Sequence, residues 1–347
     1  MPIDFLFSAK VISSIFVFEK INILNKNNTI LITGAAGFIA SGFARFLNSG
    51  GFANLILVDD FSPEEKKINH ADIICKAKIA REKLEDFFLQ NEKIDFVIHL
   101  GARTDTAEMD YAIHEKWNLH YSKMIWQYCT EKNLPLIYAS SAATYGNGEF
   151  GYDDDEEIIE KLHPLNPYGV SKNEFDKWIL KQIENKQSTP PYWYGLKFFN
   201  VYGFNEQHKN RMASVIFHAF HQIKKTGKMI LFRSHHNNYQ DGEQMRDFIY
   251  VKDIYKIIFW LMRHTPKNGI YNAGTGKAET FLALANATFA AMNIEPNIDF
   301  IDTPMDIRDK YQYYTQANMH KLKNVGYDEG FFTLEEGIND YVKNDLL

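Results

Sequence analysis

The sequence predicts an α/β fold in which a doubly wound parallel sheet carries helices on both faces and is joined by a smaller C-terminal lobe. Three observations lead to it. Strand-like apolar runs recur at 29–33, 54–58, 94–99, 134–139 and 192–199. Helical patterns alternate with them at 38–49, 80–90, 107–132 and 167–186. Beyond Asn200 the pattern breaks into shorter pieces, and 347 residues with 45% hydrophobic side chains are enough to bury a large core.

The first strand runs directly into a glycine turn and a helix. Gly34 and Gly37 allow the backbone to turn tightly and to approach a pyrophosphate, whose charge is stabilised at a helix amino terminus. Ala40 is the third small residue at the same spacing. The second strand ends about twenty residues later at Asp59 and Asp60, where an acid is placed to bind an adenosine ribose. The alternative is a tight turn followed by a solvated carboxylate.

Tyr168 and Lys172 are four residues apart within a helical pattern, which places a phenol and an ammonium on one helix face. A phenol with its usual pKa near ~10 is a poor base at neutral pH, but one beside a fixed cation can release and recover its proton readily. This pairing indicates oxidoreductase chemistry. Most Tyr-x-x-x-Lys pairs are ordinary helix surface, so the pair depends on the other motifs for its meaning.

Two further strands end in residues suited to a cofactor crevice. The strand that begins at Leu134 ends in Ser140 and Ser141, and hydroxyls at a strand's carboxyl end would face the nicotinamide. We predict Ser141 as the active-site serine and Ser140 as a turn or helix cap. The strand at 94–99 is followed by small residues that would let the cofactor pass closely, and its His99 is predicted to be a satisfied structural histidine.

Charge and cysteine content exclude several classes of function. A net charge of -6 and no long Lys/Arg run argue against a nucleic acid or an anionic membrane as partner. The acidic run at 153–157 is predicted to be a solvated loop and not a metal site. Cys75 and Cys129 are the two cysteines, which gives no disulfide framework and suits a reducing cytoplasm.

Residues 1–28 precede the first strand as an N-terminal extension. The apolar run from Val11 to Phe18 is similar to a signal-peptide core, but it is too short to span a bilayer and Glu19 and Lys20 end it. No small-residue cleavage site follows it. We therefore expect an extra helix or strand on the domain surface, or a disordered tail.

The four motifs, in this order and spacing, resemble the extended short-chain dehydrogenase/reductase family of nucleotide-sugar enzymes over roughly residues 29 to 345. Ala40 stands where that family often has glycine, and alanine still permits close helix packing. The segments 206–215, 246–251 and 311–317 are similar in particular to the ADP-L-glycero-D-manno-heptose 6-epimerases. The resemblance implies a Rossmann-type cofactor domain and epimerisation of an ADP-heptose, by transient oxidation to a ketone and hydride return, for lipopolysaccharide synthesis.

The resemblance also assigns catalytic roles. Tyr168 and Lys209 would be the paired acid/base groups, since one base cannot easily serve both alcohol geometries. Lys172 would hold the cofactor ribose and lower the pKa of Tyr168, and Ser141 would hydrogen-bond the reacting hydroxyl. Without the resemblance, Lys209 would more often be a solvated lysine.

The remaining site residues follow by the same matching. The implied cofactor-binding residues are Gly34, Gly37, Phe38, Ile39, Asp59, Asp60, Lys66, Leu100, Gly101, Ala102, Asn118, Lys172, Val201 and Lys209. The implied substrate-binding residues are Ser141, Asn200, Arg211, His218, Phe232, Arg246 and Tyr311. From the residues alone, Arg246 suits a phosphate site or a structural salt bridge, and Tyr311 and His218 suit packing. Some relatives carry serine at the position of Arg211, and the loop 234–244 is longer than in some relatives.

We predict NADP as the cofactor, with NAD as the alternative. Asp59 favours a free ribose hydroxyl, whereas Lys66 matches the basic position that would meet a 2'-phosphate, and the heptose epimerases resemble NADP users. No metal is required. A dehydratase is disfavoured because Ala142 and Ala143 stand where acidic residues would be needed, and a non-enzymatic nucleotide sensor would have no reason to keep the tyrosine, lysine and serine together.

The expected domain division has three parts. After the extension, residues 29–202 form the NADP-binding domain, to which 246–273 return, and residues 203–245 and 274–347 form the substrate lobe. We also expect a cytoplasmic homo-oligomer whose partner is the ADP-heptose substrate.

Overall fold

The computed structural model describes residues 24–308 and 311–347. Most of the N-terminal extension, residues 1–23, therefore lies outside the described residues. The strands are β1 (Ile30–Thr33), β2 (Leu55–Asp59), β3 (Ala77–Ala80), β4 (Phe96–His99), β5 (Leu136–Ser141), β6 (Trp193–Phe198), β7 (Asn200–Tyr202), β8 (Met229–Phe232), β9 (Met245–Arg246), β10 (Phe248–Tyr250), β11 (Gly269–Ala273), β12 (Glu279–Thr280) and β13 (Ile298–Ile301).

The helices alternate with these strands. They are α1 (Phe38–Ser49), α2 (Leu84–Phe88), α3 (Tyr111–His114), α4 (Tyr121–Glu131), α5 (Pro167–Glu184), α6 (Val215–Thr226), α7 (Val251–His264), α8 (Phe281–Ala291), α9 (Met305–Arg308), α10 (His320–Asn324) and α11 (Leu334–Tyr341). Short 3₁₀ turns include Glu64–Asn69 and Gln207–Met212, and both of these lie near the site described below.

Seven strands form one parallel sheet in the order β11-β6-β5-β4-β1-β2-β3. The chain order reverses between β1 and β4, and in such sheets ligands bind outside the carboxyl ends of the strands at this point. β1, β2, β4 and β5 are buried along their whole length, as expected for strands covered on both faces. The predicted doubly wound α/β fold is confirmed.

The later part of the chain adds three small two-stranded sheets. β7 pairs with β10 and β8 with β13 in parallel, while β9 pairs with β12 antiparallel. Helices α6, α8 and α11 pack together beside them. The predicted return of the chain to the large sheet occurs through β11, which lies beside β6. The exact division into a cofactor domain and a substrate lobe stays a prediction.

Two elements differ from the sequence-based expectation. β3 was not predicted, because this edge strand alternates half-buried and exposed residues and contains Lys78, so it has no apolar run. The predicted helix at 107–132 begins later, at Tyr111, where the Asp110 carboxylate caps it by accepting from the Ala112 N–H at 3.0 Å. A π-helical segment, Glu115–His120, joins α3 to α4.

Candidate active site

A cavity of about 360 Å³ lies at the carboxyl ends of the sheet strands, between the large sheet and the segment that follows β7. It brings together all four predicted catalytic residues and ten of the 22 predicted site residues in total. Those that line it are Phe38, Ile39, Leu100, Ala102, Ser141, Tyr168, Lys172, Asn200, Val201 and Lys209. A more open groove of about 540 Å³, between Tyr152 and residues 314–320, contains none of the predicted site residues.

The glycine turn fits a dinucleotide pyrophosphate. Gly34 has a φ of +72°, which favours glycine, and a Cβ there would come within 2.7 Å of the Gly101 Cα. The backbones of Gly34 and Gly101 approach this closely because neither residue has a side chain. Gly37 is the N-cap of α1 and has no side chain to bond the first amides of the helix. Those N–H groups are suited to a phosphate anion.

The acid at the end of β2 is bonded to the glycine turn. Asp59 accepts from the N–H of Ala36 at 2.8 Å and from the N–H of Asp60 at 2.7 Å. The Lys66 ammonium lies 3.6 Å from the same carboxylate. Asp59, which favours a free ribose hydroxyl, and Lys66, which favours a 2'-phosphate, are therefore adjacent in the structure.

Helix α5 carries the predicted Tyr168 and Lys172. Asn166 caps it by accepting from the Gly169 N–H at 2.8 Å, and Pro167 occupies its first turn. Lys172 donates to the Ala139 carbonyl at 2.8 Å, and burial lowers the pKa of its ammonium to about 8, which the Asp176 carboxylate partly opposes. The ammonium is thus fixed at the carboxyl end of β5, facing the cavity.

The expected lowering of the Tyr168 pKa by Lys172 is not found. Burial raises the pKa of the phenol, and the Ser141 hydroxyl acts in the opposite direction. The physical reason is that the Lys172 ammonium is directed to the Ala139 carbonyl and does not set the pKa of the phenol in this structure. In this geometry Tyr168 is a protonated acid at neutral pH.

The prediction that Ser140 is a cap is wrong, and Ser141 forms the cap in addition to lining the cavity. Ser141 ends β5 and its hydroxyl accepts from the Ala143 N–H at 3.1 Å, so it caps the following turn while also lining the cavity. Ser140 does not cap: it donates to the Asp176 carboxylate at 2.6 Å.

Asp176 belongs to a buried network that sequence reasoning missed. Its side chain and that of Lys197 are 0% exposed, and the ammonium donates to the carboxylate at 2.9 Å. Tyr138 also donates to this carboxylate at 3.0 Å, and Lys197 donates to the Thr144 hydroxyl at 2.7 Å. Two features of the sequence could have indicated this network: Lys197 lies inside the apolar strand β6, and Asp176 lies one helical turn after Lys172.

His99 is structural, as predicted. Its ring nitrogens are bonded to the hydroxyls of Thr33 at 2.7 Å and Ser122 at 2.8 Å, and burial lowers its pKa to about 3. Asn118 is also fully buried. It accepts from the Arg103 N–H at 2.7 Å and donates to the Ser171 hydroxyl at 3.0 Å, so it holds the loop after β4 against α5.

Lys209 lies in the 3₁₀ turn Gln207–Met212 and reaches the cavity beside the start of α1. Its ammonium is 5.4 Å from the centre of the Phe38 ring. Burial lowers the pKa of this lysine, and the Glu206 carboxylate partly opposes the shift. Lys209 is therefore partly buried at the cavity, and a lysine with a lowered pKa can serve as a base.

Arg246 occupies an aromatic setting. Its guanidinium lies 5.6 Å from the ring centres of both Phe281 and Tyr311, donates to backbone carbonyls of Met245 and Gln312, and is 8% exposed. The ion pairs formed among the side chains that the structure describes do not include Arg246. Phe232 packs edge-on against Tyr311 at 6.2 Å.

Five predicted substrate residues do not line the cavity: Phe232, Arg246 and Tyr311, described above, and Arg211 and His218. Arg211 is 68% exposed and pairs with Asp105 at 3.3 Å; the preceding Asn210, at φ +48° and ψ -124°, kinks the chain before it. His218 is exposed on α6, beside Phe217. Their predicted contacts with the sugar are therefore not found in this arrangement.

The acidic run at 153–157 is mostly exposed, as predicted, with the exception of Asp154. Asp154 is buried and accepts from the Asn272 N–H at 2.7 Å, and burial raises its pKa to about 6. Among the described residues, no group of three or more His, Cys, Asp or Glu side chains could hold a metal ion. No helix in that part of the chain is long and apolar enough to cross a membrane.

Comparisons with known proteins agree with this geometry. Residues 30–274 match the NAD dependent epimerase/dehydratase family. The chain is 44% identical over 328 residues to the ADP-L-glycero-D-manno-heptose-6-epimerase of Fusobacterium nucleatum, covering 91% of this chain and 98% of that protein. It is 43% identical over 321 residues to the enzyme of that name from Nitratidesulfovibrio vulgaris, covering 91% and 97%.

A solved structure is similar over the same span. The crystal structure of the Helicobacter pylori ADP-L-glycero-D-manno-heptose-6-epimerase matches with a TM-score of 0.75 and 26% identity, covering 91% of this chain and 96% of that chain. A UDP-N-acetylglucosamine 4-epimerase from Methanobrevibacter ruminantium has a TM-score of 0.76 at 22% identity, which shows a shared fold.

Proposed function

This chain belongs to the NAD dependent epimerase/dehydratase family and, within it, to the ADP-L-glycero-D-manno-heptose-6-epimerases, and we propose that it inverts C6 of the heptose in ADP-D-glycero-D-manno-heptose. The observation that carries the proposal is that Tyr168 and Lys209, from distant parts of the chain, line one cavity together with Lys172 and Ser141. The product would supply heptose for lipopolysaccharide synthesis.

The chemistry requires two proton-transfer groups. A bound nicotinamide would supply reversible hydride transfer, so that the C6 carbinol is oxidised to a ketone and the hydride returns to the other face. One side chain takes the hydroxyl proton as the C–H bond breaks, and the other gives a proton to the new alkoxide. Burial raises the pKa of Tyr168 and lowers that of Lys209, which suits the phenol to donate a proton and the amine to accept one.

The diphosphate of the substrate is proposed to meet Arg246. A guanidinium buried beside two aromatic rings presents a planar set of N–H donors that can bond two oxygens of a phosphate. Asn200, at the start of β7, lines the same cavity as the catalytic groups. A dehydratase remains disfavoured, because Ala142 and Ala143 follow Ser141 and supply no acid to protonate a departing hydroxyl.

The hydrogen on C6 is expected to be retained during epimerisation, because it travels as hydride and not as a proton. Turnover of ADP-D-glycero-D-manno-heptose in heavy water should leave C6 unlabelled, as read by proton NMR and mass spectrometry of the product. Incubation without protein is the control for chemical exchange. Deuterium at C6 in most product molecules would point to carbanion chemistry and reject the redox mechanism.

We propose NADP as the cofactor, on the strength of Lys66. Lys66→Ala should weaken NADP binding by ~1.5–3 kcal/mol, because one charge-assisted contact with the 2'-phosphate is lost, and should hardly affect NAD. Lys67→Ala is the matched control, since the neighbouring Lys67 is 58% exposed and pairs with Glu64. Titration of each variant with both cofactors measures the effect. Equal weakening of NADP and NAD by Lys66→Ala would remove Lys66 from a phosphate site.

A cytoplasmic location and a homo-oligomeric assembly stay predictions of the sequence. Size-exclusion chromatography with light scattering measures the assembly directly.

A further inference from the structure

The side-chain amide of Asn69 joins three segments of the chain that meet beside the cavity. Asn69 is 0% exposed and ends the 3₁₀ turn that also carries Lys66. Its Nδ2 lies 3.1 Å from the carbonyl of Ala36 in the glycine turn and 3.3 Å from that of Asn205. The same nitrogen lies 2.9 Å from Nδ1 of His208. Two N–H hydrogens are thus shared among three acceptors.

The oxygen of the same amide completes the connection. It accepts from Nε2 of Gln207 at 3.3 Å, so residues 205, 207 and 208 all bond one asparagine. Asn205 itself has a φ of +74° and donates to the Ser41 hydroxyl on α1 at 2.8 Å. The segment immediately before Lys209 is therefore bonded to the glycine turn and its helix through side chains, not through a sheet.

We propose that Asn69 is a positioning residue for Lys209, which it holds against the cofactor side of the cavity through Gln207, His208 and the Asn205 carbonyl. The inference rests on the proposed function for the role of Lys209. It adds that the base is placed by a residue 140 positions away along the chain, in the same short turn as the cofactor residue Lys66. Two residues of the turn then bear on the reaction: Lys66 through the cofactor and Asn69 through the base.

The protonation state of His208 agrees with this arrangement. An Nδ1 that accepts a hydrogen bond must carry no proton. Burial, together with the charges of Lys66 and Lys209, lowers the pKa of His208 to about 4, although the Asn205 backbone and the Asp59 carboxylate act in the opposite direction. The ring is neutral at neutral pH, so the bond to Asn69 persists under working conditions.

The first test is a double-mutant cycle. Asn69→Ala should lower kcat by about 10- to 100-fold, because a small displacement of a reacting group has effects of that size. In a Lys209→Met background, where the positioned group is already lost, Asn69→Ala should lower kcat by less than about twofold. NADP affinity should change by less than about threefold. Losses that multiply in the double variant would overturn the proposal, because Asn69 would then act independently of Lys209.

The control is Asn48→Ala. Asn48 also bridges two segments, since it donates to the Ile74 carbonyl at 3.0 Å and accepts from the Ile74 N–H at 2.8 Å, but it forms no hydrogen bond with residues 203–212. Its kcat should stay within about twofold of wild type. If Asn69→Ala does not fold, Gln207→Leu removes the exposed partner of the Asn69 oxygen and should lower kcat in the same direction by about threefold.

A second measurement does not depend on catalysis. Acetylation of Lys209 by acetic anhydride, followed by mass spectrometry across a pH series, reports the titration midpoint of its amine. In wild type the midpoint should lie below that of a solvated lysine, and Asn69→Ala should move it up towards ~10.4. An unchanged midpoint would overturn the proposal. If Lys209→Met instead keeps a normal kcat, the two-base function fails, while the shifted midpoint would still place Asn69 as the residue that holds Lys209.

Discussion

Replacing Lys209 by methionine, or Tyr168 by phenylalanine, should lower kcat by about 100- to 10,000-fold each, the range typical of a lost general acid or base. The phenyl ring and the methionine side chain keep most of the volume of the groups that they replace, so the binding of ADP should survive better than turnover. Steady-state kinetics give kcat and KM, and a separate titration gives the affinity for ADP.

If Lys209 binds the substrate but takes no part in proton transfer, a different kinetic result is expected. If its ammonium only grips the diphosphate as a point charge, Lys209→Met will raise KM while kcat stays near wild type. Lys224→Met is the matched control, because Lys224 is exposed on α6 and does not line the cavity. A normal kcat together with weakened ADP binding would defeat the two-base assignment and leave Tyr168 as the single supported acid/base group.

The sheet could be predicted from sequence because its strands are buried along their length and read as short apolar runs. The same reasoning missed β3, whose alternation and Lys78 give no such run. Local motifs located Tyr168, Lys172 and Ser141, since each lies at a fixed position relative to a strand end or a helix start. The position of Lys209 came from a family resemblance, because an isolated lysine in a loop has no local signal.

What sequence reasoning could not supply depends on contacts between distant residues. Asn69 and His208 are separated by 139 positions, and neither residue type in its local pattern indicates the other. The pKa of Tyr168 is a similar case. Helical spacing places Lys172 on the same face as the phenol, but the ammonium bonds the carbonyl of Ala139, and burial decides the direction of the shift. A four-residue spacing therefore predicts proximity without predicting the electrostatic result.

Lys197→Met should destabilise the protein by about 3–5 kcal/mol, because it leaves the Asp176 carboxylate buried without its ammonium. Both side chains are fully buried, and the hydroxyls of Tyr138 and Ser140 that also bond this carboxylate do not neutralise it. Urea denaturation measures the free energy of unfolding. Because Ser140, which bonds this carboxylate, directly precedes the active-site Ser141, a rearrangement of the carboxylate after the loss of Lys197 should also lower kcat.

Two further variants distinguish the cost of burying an unpaired charge from the cost of losing any lysine. Lys228 forms a 2.9 Å ion pair with Asp299 at 49% and 54% exposure, so Lys228→Met should cost less than about 1 kcal/mol. The double variant Lys197→Met/Asp176→Leu removes both charges and should recover part of the stability lost in Lys197→Met, without restoring kcat, because Lys172 has lost its nearby carboxylate. A destabilisation by Lys197→Met no larger than that of Lys228→Met would show that the buried pair is not what holds β5, β6 and α5 together behind the catalytic groups.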